Sequence, residues 1–386
     1  MSWKSCSLGE IASIQTGPFG SQLHSSDYVA QGIPLVMPVN IGRNLEIIEN
    51  GIAHISYYDA ERLKRHALVS GDIIYSRRGD VEKCAFIKEK QSGWICGTGC
   101  LAVRFFSGSV YPQFLAYQFL TESIKGWILG HAVGTTMPNL NSNILSNLPV
   151  VLPPLSEQKA IADILGSLDD KIDLLQRQNT TLEAMAETLF RQWFIEEAQE
   201  DWGEQAFGNI VTFHDSKRIP LSKTEREKMQ SGLLYPYYGA AQIVGYVNNF
   251  IFNGDYLLFA EDGTVRTDSG TPVLQRAYGK FWVNNHTHVI TANYPYNNDF
   301  LYIFLLRKNI DELITGAVQP KISQSNLRKL PIPHYPIELV KKYILLTKNI
   351  FSKIRSNQQQ IRTLEKLRDT LLPKLMSGEV RVRVDG

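Results

Sequence analysis

Arg77 and Arg78 stand directly after a predicted strand, Gly71-Asp-Ile-Ile-Tyr75, and lead into Gly79. Two guanidinium groups on such a loop can donate to guanine edges or to phosphate oxygens, although a solvated loop pair accounts for them as well. The glycine-punctuated stretch from Gly17 to His24 offers Ser21, Gln22 and His24 for similar contacts, or forms a plain surface turn. Arg62, Lys64, Arg65 and His66 suit backbone phosphates, or form a solvated helix face. The second half of the chain supplies Lys217 with Arg218, Tyr237 with Tyr238, the acidic pair Glu261 and Asp262, and Asn284-Asn285-His286. A carboxylate there can accept from cytosine N4 or adenine N6, and an asparagine such as Asn285 can pair with adenine through two hydrogen bonds. For that last group, buried side chains serving a turn are the plainer reading.

Chemistry of the bond-breaking kind finds little support. An adenine methyltransferase needs Asn or Asp before Pro-Pro and an aromatic residue, yet the Pro-Pro here, Pro153-Pro154, lies between Leu152 and Leu155. No Gly-x-x-x-x-Gly-Lys-Ser/Thr loop and no His-Glu-x-x-His helix occurs. Cys96 and Cys100 lack a second pair in ligand spacing, so no metal centre is expected. A nuclease could be assembled from Asp201 or Glu204 with Asp215-Ser-Lys217, and a coiled-coil scaffold that binds protein is a further alternative.

At 386 residues, 44% hydrophobic and 20% charged, the chain has room for roughly two or three domains. Lys and Arg number 40 against 38 Asp and Glu, a net charge of +2, so any nucleic-acid contact must come from local patches rather than overall basicity. No membrane span or signal peptide is apparent, which predicts a cytoplasmic chain whose four cysteines stay as thiols.

The elements that would position these residues are duplicated. Pro138–Pro149 aligns with Pro320–Pro331, and Leu182–Phe190 with Leu364–Leu372, both at an offset of 182. Upstream, Gly71-Asp matches Gly254-Asp at 183, and Trp3 with Leu8-Gly-Glu-Ile11 matches Trp202 with Phe207-Gly-Asn-Ile210 at 199. A repeat this long signals a duplicated domain pair and not a solenoid. The modules, rich in Gly, Asn, Tyr and short apolar runs, read as short strands closed by helices at Tyr111–Leu129 and Asp299–Leu313.

Each module is followed by a long helix. Ile161, Leu165, Leu168, Ile172, Leu175, Leu182, Ala186, Leu189 and Trp193 alternate steps of three and four, with Asn179 filling the gap. That is a coiled-coil seam of about 40 residues, or about 60 Å. Tyr343, Ile350, Ile354, Ile361, Leu364, Leu371 and Leu375 repeat it, with Asn357 in the seam. Asn179 and Asn357 belong to opposite seam series, which face each other in an antiparallel pair. They can therefore share a layer, with Leu175 opposite Ile361 and Leu182 opposite Ile354, and fix the register. Residues 156–199 carry 4 basic and 9 acidic residues and 337–386 carry 11 and 5, so opposite charges favour the pairing.

The whole chain resembles the specificity subunit of type I restriction-modification systems, HsdS. The resemblance rests on Gly134-Thr-Thr-Met-Pro-Asn-Leu140, Leu148-Pro-Val-Val-Leu-Pro-Pro-Leu-Ser-Glu-Gln158 with its long helix, their repetition, and the closing Leu371-Leu-Pro-Lys-Leu-Met-Ser-Gly-Glu-Val380. It implies an α+β fold with a pseudo-two-fold repeat, in which two target recognition domains are separated by two long antiparallel coiled-coil helices. The division expected is 1–150 and 201–332 for the recognition domains, 151–200 for the central helix, and 333–386 for the distal helix and tail. It also implies a non-catalytic role: each domain reads half of a split double-stranded DNA site. Two methyltransferase subunits (HsdM) and restriction subunits (HsdR) would assemble on the chain. S-adenosylmethionine, ATP and Mg would bind those subunits, none would bind this chain, and no membrane is involved. Glu157 and Gln158 are the implied partner contacts, and the second copy, Pro331-Ile-Pro-His-Tyr-Pro336, lacks them.

Overall fold

A computed structural model describes residues 3–106, 108, 110–134, 137–199, 202–316 and 318–382. Asp201 therefore lies outside the described residues. The chain divides into two compact units, Met1–Leu174 with Gln360–Gly386, and Leu175–Gln359. Each unit holds one module and a stretch of each long helix, so the units cut across the 1–150, 151–200, 201–332 and 333–386 division.

In the first unit the strands are β1 (Lys4–Ser7), β2 (Ala12–Thr16), β3 (Tyr28–Val29), β4 (Ile33–Val36) and β5 (Ala53–Ile55). Helix α1 (Tyr57–Arg62) leads to β6 (Ile73–Ser76), β7 (Cys84–Phe86), β8 (Ile95–Cys96) and β9 (Cys100–Phe105). Then come α2 (Pro112–Phe119), α3 (Glu122–His131), α4 (Ser142–Ser146), β10 (Pro149–Leu152) and the start of α5 (Leu155–Arg191). The expected single helix at Tyr111–Leu129 is broken, because Thr121 turns its hydroxyl back to the Gln118 carbonyl (2.7 Å) and α3 restarts beyond it. The sheets are β2-β9-β6-β7 and β3-β5-β4-β8, and β1 pairs with β10. β6 is buried along its whole length, as a central strand covered on both faces must be.

The second unit begins within α5 and adds β11 (Glu204–Ala206), β12 (Val211–Phe213), α6 (Lys223–Lys228), β13 (Tyr235–Tyr238), β14 (Ile243–Val247), β15 (Phe252–Ala260), β16 (Leu274–Val283) and β17 (Thr287–Ala292). It closes with α7 (Asn298–Leu305), α8 (Gln324–Arg328), β18 (Pro331–Pro333) and most of α9 (Ile337–Ser377). The helix expected to reach Leu313 stops at Leu305. Beyond it the Asn309 side chain accepts from the Asp311 backbone N–H (2.9 Å), an alternative to helical bonding. The sheet order β12-β17-β15-β16-β13-β14 repeats β2-β9-β6-β7 and then continues. It continues because β16 is long enough to pair with β15 and also, in parallel, with β13, as β8 pairs in parallel with β4. β11 with β18 repeats β1 with β10, and the caps Asn141 and Ser323 start α4 and α8 at the 182 offset.

Within each unit the two long helices run antiparallel. In the first, Arg368 meets Asp169 (2.9 Å), which also accepts from the Tyr117 hydroxyl (2.7 Å), fastening α2 to both helices. In the second, the Asn357 amide donates to Asn179 Oδ1 (2.9 Å), so the expected polar layer forms, and Leu182 packs in the same cluster as Ile354. Module and helices share one core in each unit: Ile161 and Leu165 join Phe114 and Leu115, while Phe190 and Tyr343 join Phe300. Among the described residues no helix is long and apolar enough to cross a membrane.

Candidate nucleic-acid interface

Four connecting segments converge at one end of each module's main sheet. In the first module they follow β2, follow β6, join β8 to β9, and run from Val133 to Leu140. Three backbone bonds knit the β6 turn into them: Arg77 N–H to Gly99 O (2.8 Å), Gly79 N–H to Pro138 O (3.1 Å) and Leu140 N–H to Arg77 O (2.8 Å). Thr98 donates to Pro18 O (3.1 Å), joining the fourth segment. A left-handed Gly79 (φ 75) makes the turn.

The second module repeats the three backbone bonds, with Glu261 N–H donating to His286 O (2.9 Å). Gly263 N–H donates to Pro320 O (3.1 Å), Ile322 N–H to Glu261 O (2.8 Å), and Gly263 has φ 77. Arg78 bridges Asn139 in one module and Asp262 bridges Lys321 in the other. The backbone is thus conserved between the copies while the side chains it presents are exchanged, basic for acidic.

The candidate residues fall as follows. Arg78 is exposed and Arg77 half-buried on the turn, with the Arg77 Nε lacking a partner. Ser21 and His24 are exposed; Gln22 is half-buried, its carbonyl accepting from Arg62 (2.8 Å) and its side chain from Arg65 (3.3 Å). The loop after β2 and the basic run therefore brace each other. His66 is buried, and burial together with Arg65 holds its imidazole below the ordinary range. In the second module Lys217 and Asn285 are exposed, and Asn284 serves the turn by accepting from the His286 N–H (2.9 Å). Asn285 and His286 are thus presented outward rather than buried. Asp262 is half-buried and meets His286 (2.9 Å).

Other expectations need correction. Arg218 and Glu261 are spent on each other at 2.6 Å, with only 15% and 13% of their side chains exposed. Arg218 also donates to the carbonyls of Thr287 (2.8 Å) and Asp215 (3.0 Å), and Lys321 lies 3.2 Å from Glu261. The two residues fasten segments together behind the surface, leaving little of either group for a ligand. Burial would raise the Asp215 carboxyl, but the hydrogen bond and charge of His288, the Val289 N–H and the Arg218 charge together outweigh it and hold the group below the usual carboxylate range. Glu261 is lowered in the same way, its burial outweighed by Arg218, His288 and Lys321 together. With its oxygens bonded to His288 (2.6 Å) and the Val289 N–H (2.8 Å), Asp215 is a structural acid, and Glu204 lies on the separate two-stranded sheet of β11 and β18. The nuclease reading loses its centre, and among the described residues no His, Cys, Asp or Glu cluster suits a metal. Tyr237 and Tyr238 are buried in the core.

Glu157 and Gln158 are corrected too. Glu157 is buried and holds Arg381 through both oxygens (2.6 and 2.7 Å); Gln158 accepts from the Tyr111 N–H (2.8 Å) and donates to Pro153 O (2.9 Å). They lock the start of α5 onto its own module and the tail, which leaves neither side chain open to a partner. Two residues escaped the sequence reading, Asn139 and Lys321. The 182 offset aligns them, and that alignment is the signal that could have found them.

Comparison with known proteins agrees with the duplicated architecture. The family described as the type I restriction modification DNA specificity domain matches residues 1–184 and again 199–366. Among curated relatives, the type I restriction enzyme MjaIX specificity subunit of Methanocaldococcus jannaschii is 27% identical over 311 residues, 71% of this chain and 70% of that protein. The putative MjaX specificity subunit of the same organism is 24% identical over 358 residues, 86% of this chain and 84% of its own length. The crystal structure of the type I restriction-modification S subunit from M. genitalium shares the fold with a TM-score of 0.59, at 17% identity over 97% of this chain and 96% of that one. With both copies of the family domain in place over nearly all of its length, the chain belongs to the type I restriction-modification specificity subunits, HsdS, which recognise DNA and are themselves non-catalytic.

Proposed function

We propose that the two modules read the two halves of a split double-stranded DNA site, each through its four-segment end. The observation that carries this reading is the conserved backbone frame bearing unlike side chains: Arg77, Arg78 and Asn139 in one module, Asp262, Lys321, Lys217 and Asn285 in the other. Equal frames approach DNA in equal ways, and unlike donors and acceptors select different bases, so the half-sites differ in sequence. Ser21, Gln22 and His24, with Arg62 and Arg65 behind them, flank the first half-site. The antiparallel helices set the gap between half-sites, which for reading from one face of the duplex is about one helical turn, roughly 34 Å.

The same reading extends to partners. Exposed apolar residues recur at the 182 offset on the long helices, Ile164 with Leu346 and Met185 with Leu367, so each unit carries one residue of each pair. Duplicated apolar positions suit two copies of one partner, here the adenine methyltransferase subunits, with restriction subunits joining the assembly. S-adenosylmethionine, ATP and Mg are bound by those subunits, and the complex acts in the cytoplasm. The test is co-expression with the methyltransferase subunit followed by genome-wide mapping of N6-methyladenine. Two short motifs separated by a fixed run of unspecified bases are expected. A stable complex that binds DNA yet methylates no split motif would refute the reading.

A further inference from the structure

The bridges that close each turn place two side chains side by side. Directly opposed residues of an antiparallel bridge project to the same face with Cβ atoms about 5 Å apart. Arg78 and Asn139 form such a pair in the first module, Asp262 and Lys321 in the second. Their hydrogen-bonding capacities differ in kind. Arg78 is donor-only and Asn139 both donates and accepts; Arg78 is exposed, Asn139 half-buried, and neither side chain has a hydrogen-bond or ion-pair partner among the described residues. Asp262 is acceptor-only, with Oδ2 on His286 and Oδ1 open, while Lys321 is donor-only, half-exposed, and uses one of its three donors on Glu261.

Resting on the DNA-reading proposal above, we infer that the segments Val133–Leu140 and Thr315–Ile322 are reading elements in their own right, with Asn139 and Lys321 as specificity-determining residues. In the major groove a G·C pair offers the O6 and N7 acceptors of guanine beside the N4 donor of cytosine. The Asp262–Lys321 pair matches that edge: Lys321 on guanine, Asp262 Oδ1 on cytosine N4. The Arg78–Asn139 pair matches a guanine followed by an adenine, since an amide alone of these groups satisfies adenine N6 and N7 together. Chemistry that the backbone holds constant thus selects a G·C pair in one half-site and a guanine–adenine step in the other. The glycines that shape both segments agree with a close approach to the duplex. Gly134 (φ 106) and Gly316 (φ 86) are left-handed, and a Cβ on them would meet the carbonyls of Met137 (2.8 Å) and Gln319 (2.5 Å).

The experiment is selection of bound sequences from a randomised duplex library by the full chain in complex with its methyltransferase subunit, comparing wild type with Lys321→Ala, Lys321→Arg and Asn139→Ala. Lys321→Ala is expected to lose about five- to 150-fold of guanine discrimination at a single position of one half-site, and Lys321→Arg to retain it. Asn139→Ala is expected to relax adenine at a single position of the other half-site. Both side chains lie outside the core, and Lys321→Arg keeps the cation beside Glu261, so cooperative thermal unfolding of each variant above the assay temperature separates this effect from misfolding. A uniform drop over all sequences would mean phosphate contact and overturn the inference, as would base preferences unchanged at every position. A wild-type complex selecting no split motif would overturn the DNA-reading proposal and this inference with it.

Discussion

Replacing Asn179 with Leu should destabilise the second unit, and replacing Asn357 as well should reverse the loss. Asn357 is fully buried; its amide donates to Asn179 Oδ1 at 2.9 Å, more weakly to Gln178 at 3.4 Å, and its own Oδ1 has no partner. Asn179→Leu removes the main acceptor and leaves the buried amide only its long bond to Gln178, which costs about 1–3 kcal/mol. Asn357→Leu leaves only the half-buried Asn179 unpaired, a group that reaches water, and gains apolar burial worth about 1.5–3 kcal/mol, so it is neutral or stabilising. The double variant makes an apolar layer and should equal or exceed Asn357→Leu alone, giving a coupling of at least about 1 kcal/mol in a double-mutant cycle. Urea unfolding followed by far-UV circular dichroism measures all four proteins. Additive effects of the two substitutions would refute the pairing. If the pair sets the register, the stabilised double variant should also accept a wider range of half-site gaps.

Three further perturbations separate structural from reading roles. Asp299 joins Arg276, whose side chain is 4% exposed, and Arg355 (3.1 Å), so Asp299→Ala should cost about 3–5 kcal/mol in urea unfolding by leaving a buried guanidinium unpaired. Asp215 and Glu261 are lowered in the folded chain, so the stability they add is present above the unfolded values of about 4 and is lost as pH falls through the lower folded values. The unfolding midpoint should therefore fall below about pH 4, and Asp215→Asn should flatten that fall. Gly134→Ala and Gly316→Ala each force a left-handed residue against a carbonyl, a strain of about 1–2 kcal/mol, and each should weaken binding at its own half-site while the other keeps its base preference.

Periodicity and self-similarity make the architecture legible in the amino-acid sequence. The seam predicts both long helices and the Asn179–Asn357 layer, because a 3.5-residue period leaves those two positions nowhere else to point. The repeat, whose offset is 183 at Gly71 and Gly254 and 182 at Pro138 and Pro320, predicts equivalent turns near Arg77 and Glu261, and the backbone bonds there are equivalent. What the chain does not display locally is which polar side chains consume one another. Arg218 and Glu261 are 43 residues apart, and Glu157 and Arg381 are 224 apart, so long-range folding alone turns apparent surface candidates into internal ties. Residue type identifies groups able to bind bases; only their burial separates those that present donors outward, Arg78 and Lys217, from those that hold the frame.

The two modules hold that frame differently, and the difference bears on how such proteins change target. In the first, backbone bonds to Gly99, Pro138 and Leu140 hold the turn, so Arg78 can be exchanged without touching its support. In the second, side chains take part in the support, since Glu261 meets Arg218 and Lys321, and Asp262 meets His286. A substitution at Lys321 or Asp262 therefore alters both a reading group and a brace. Target drift should come more readily through the first module, whose presenting residues do less to hold the turn in place. Compensating changes in the second should arise as sets drawn from Arg218, Glu261, His286 and Lys321, because removing one member leaves a charge or hydrogen-bonding group of the others unpaired.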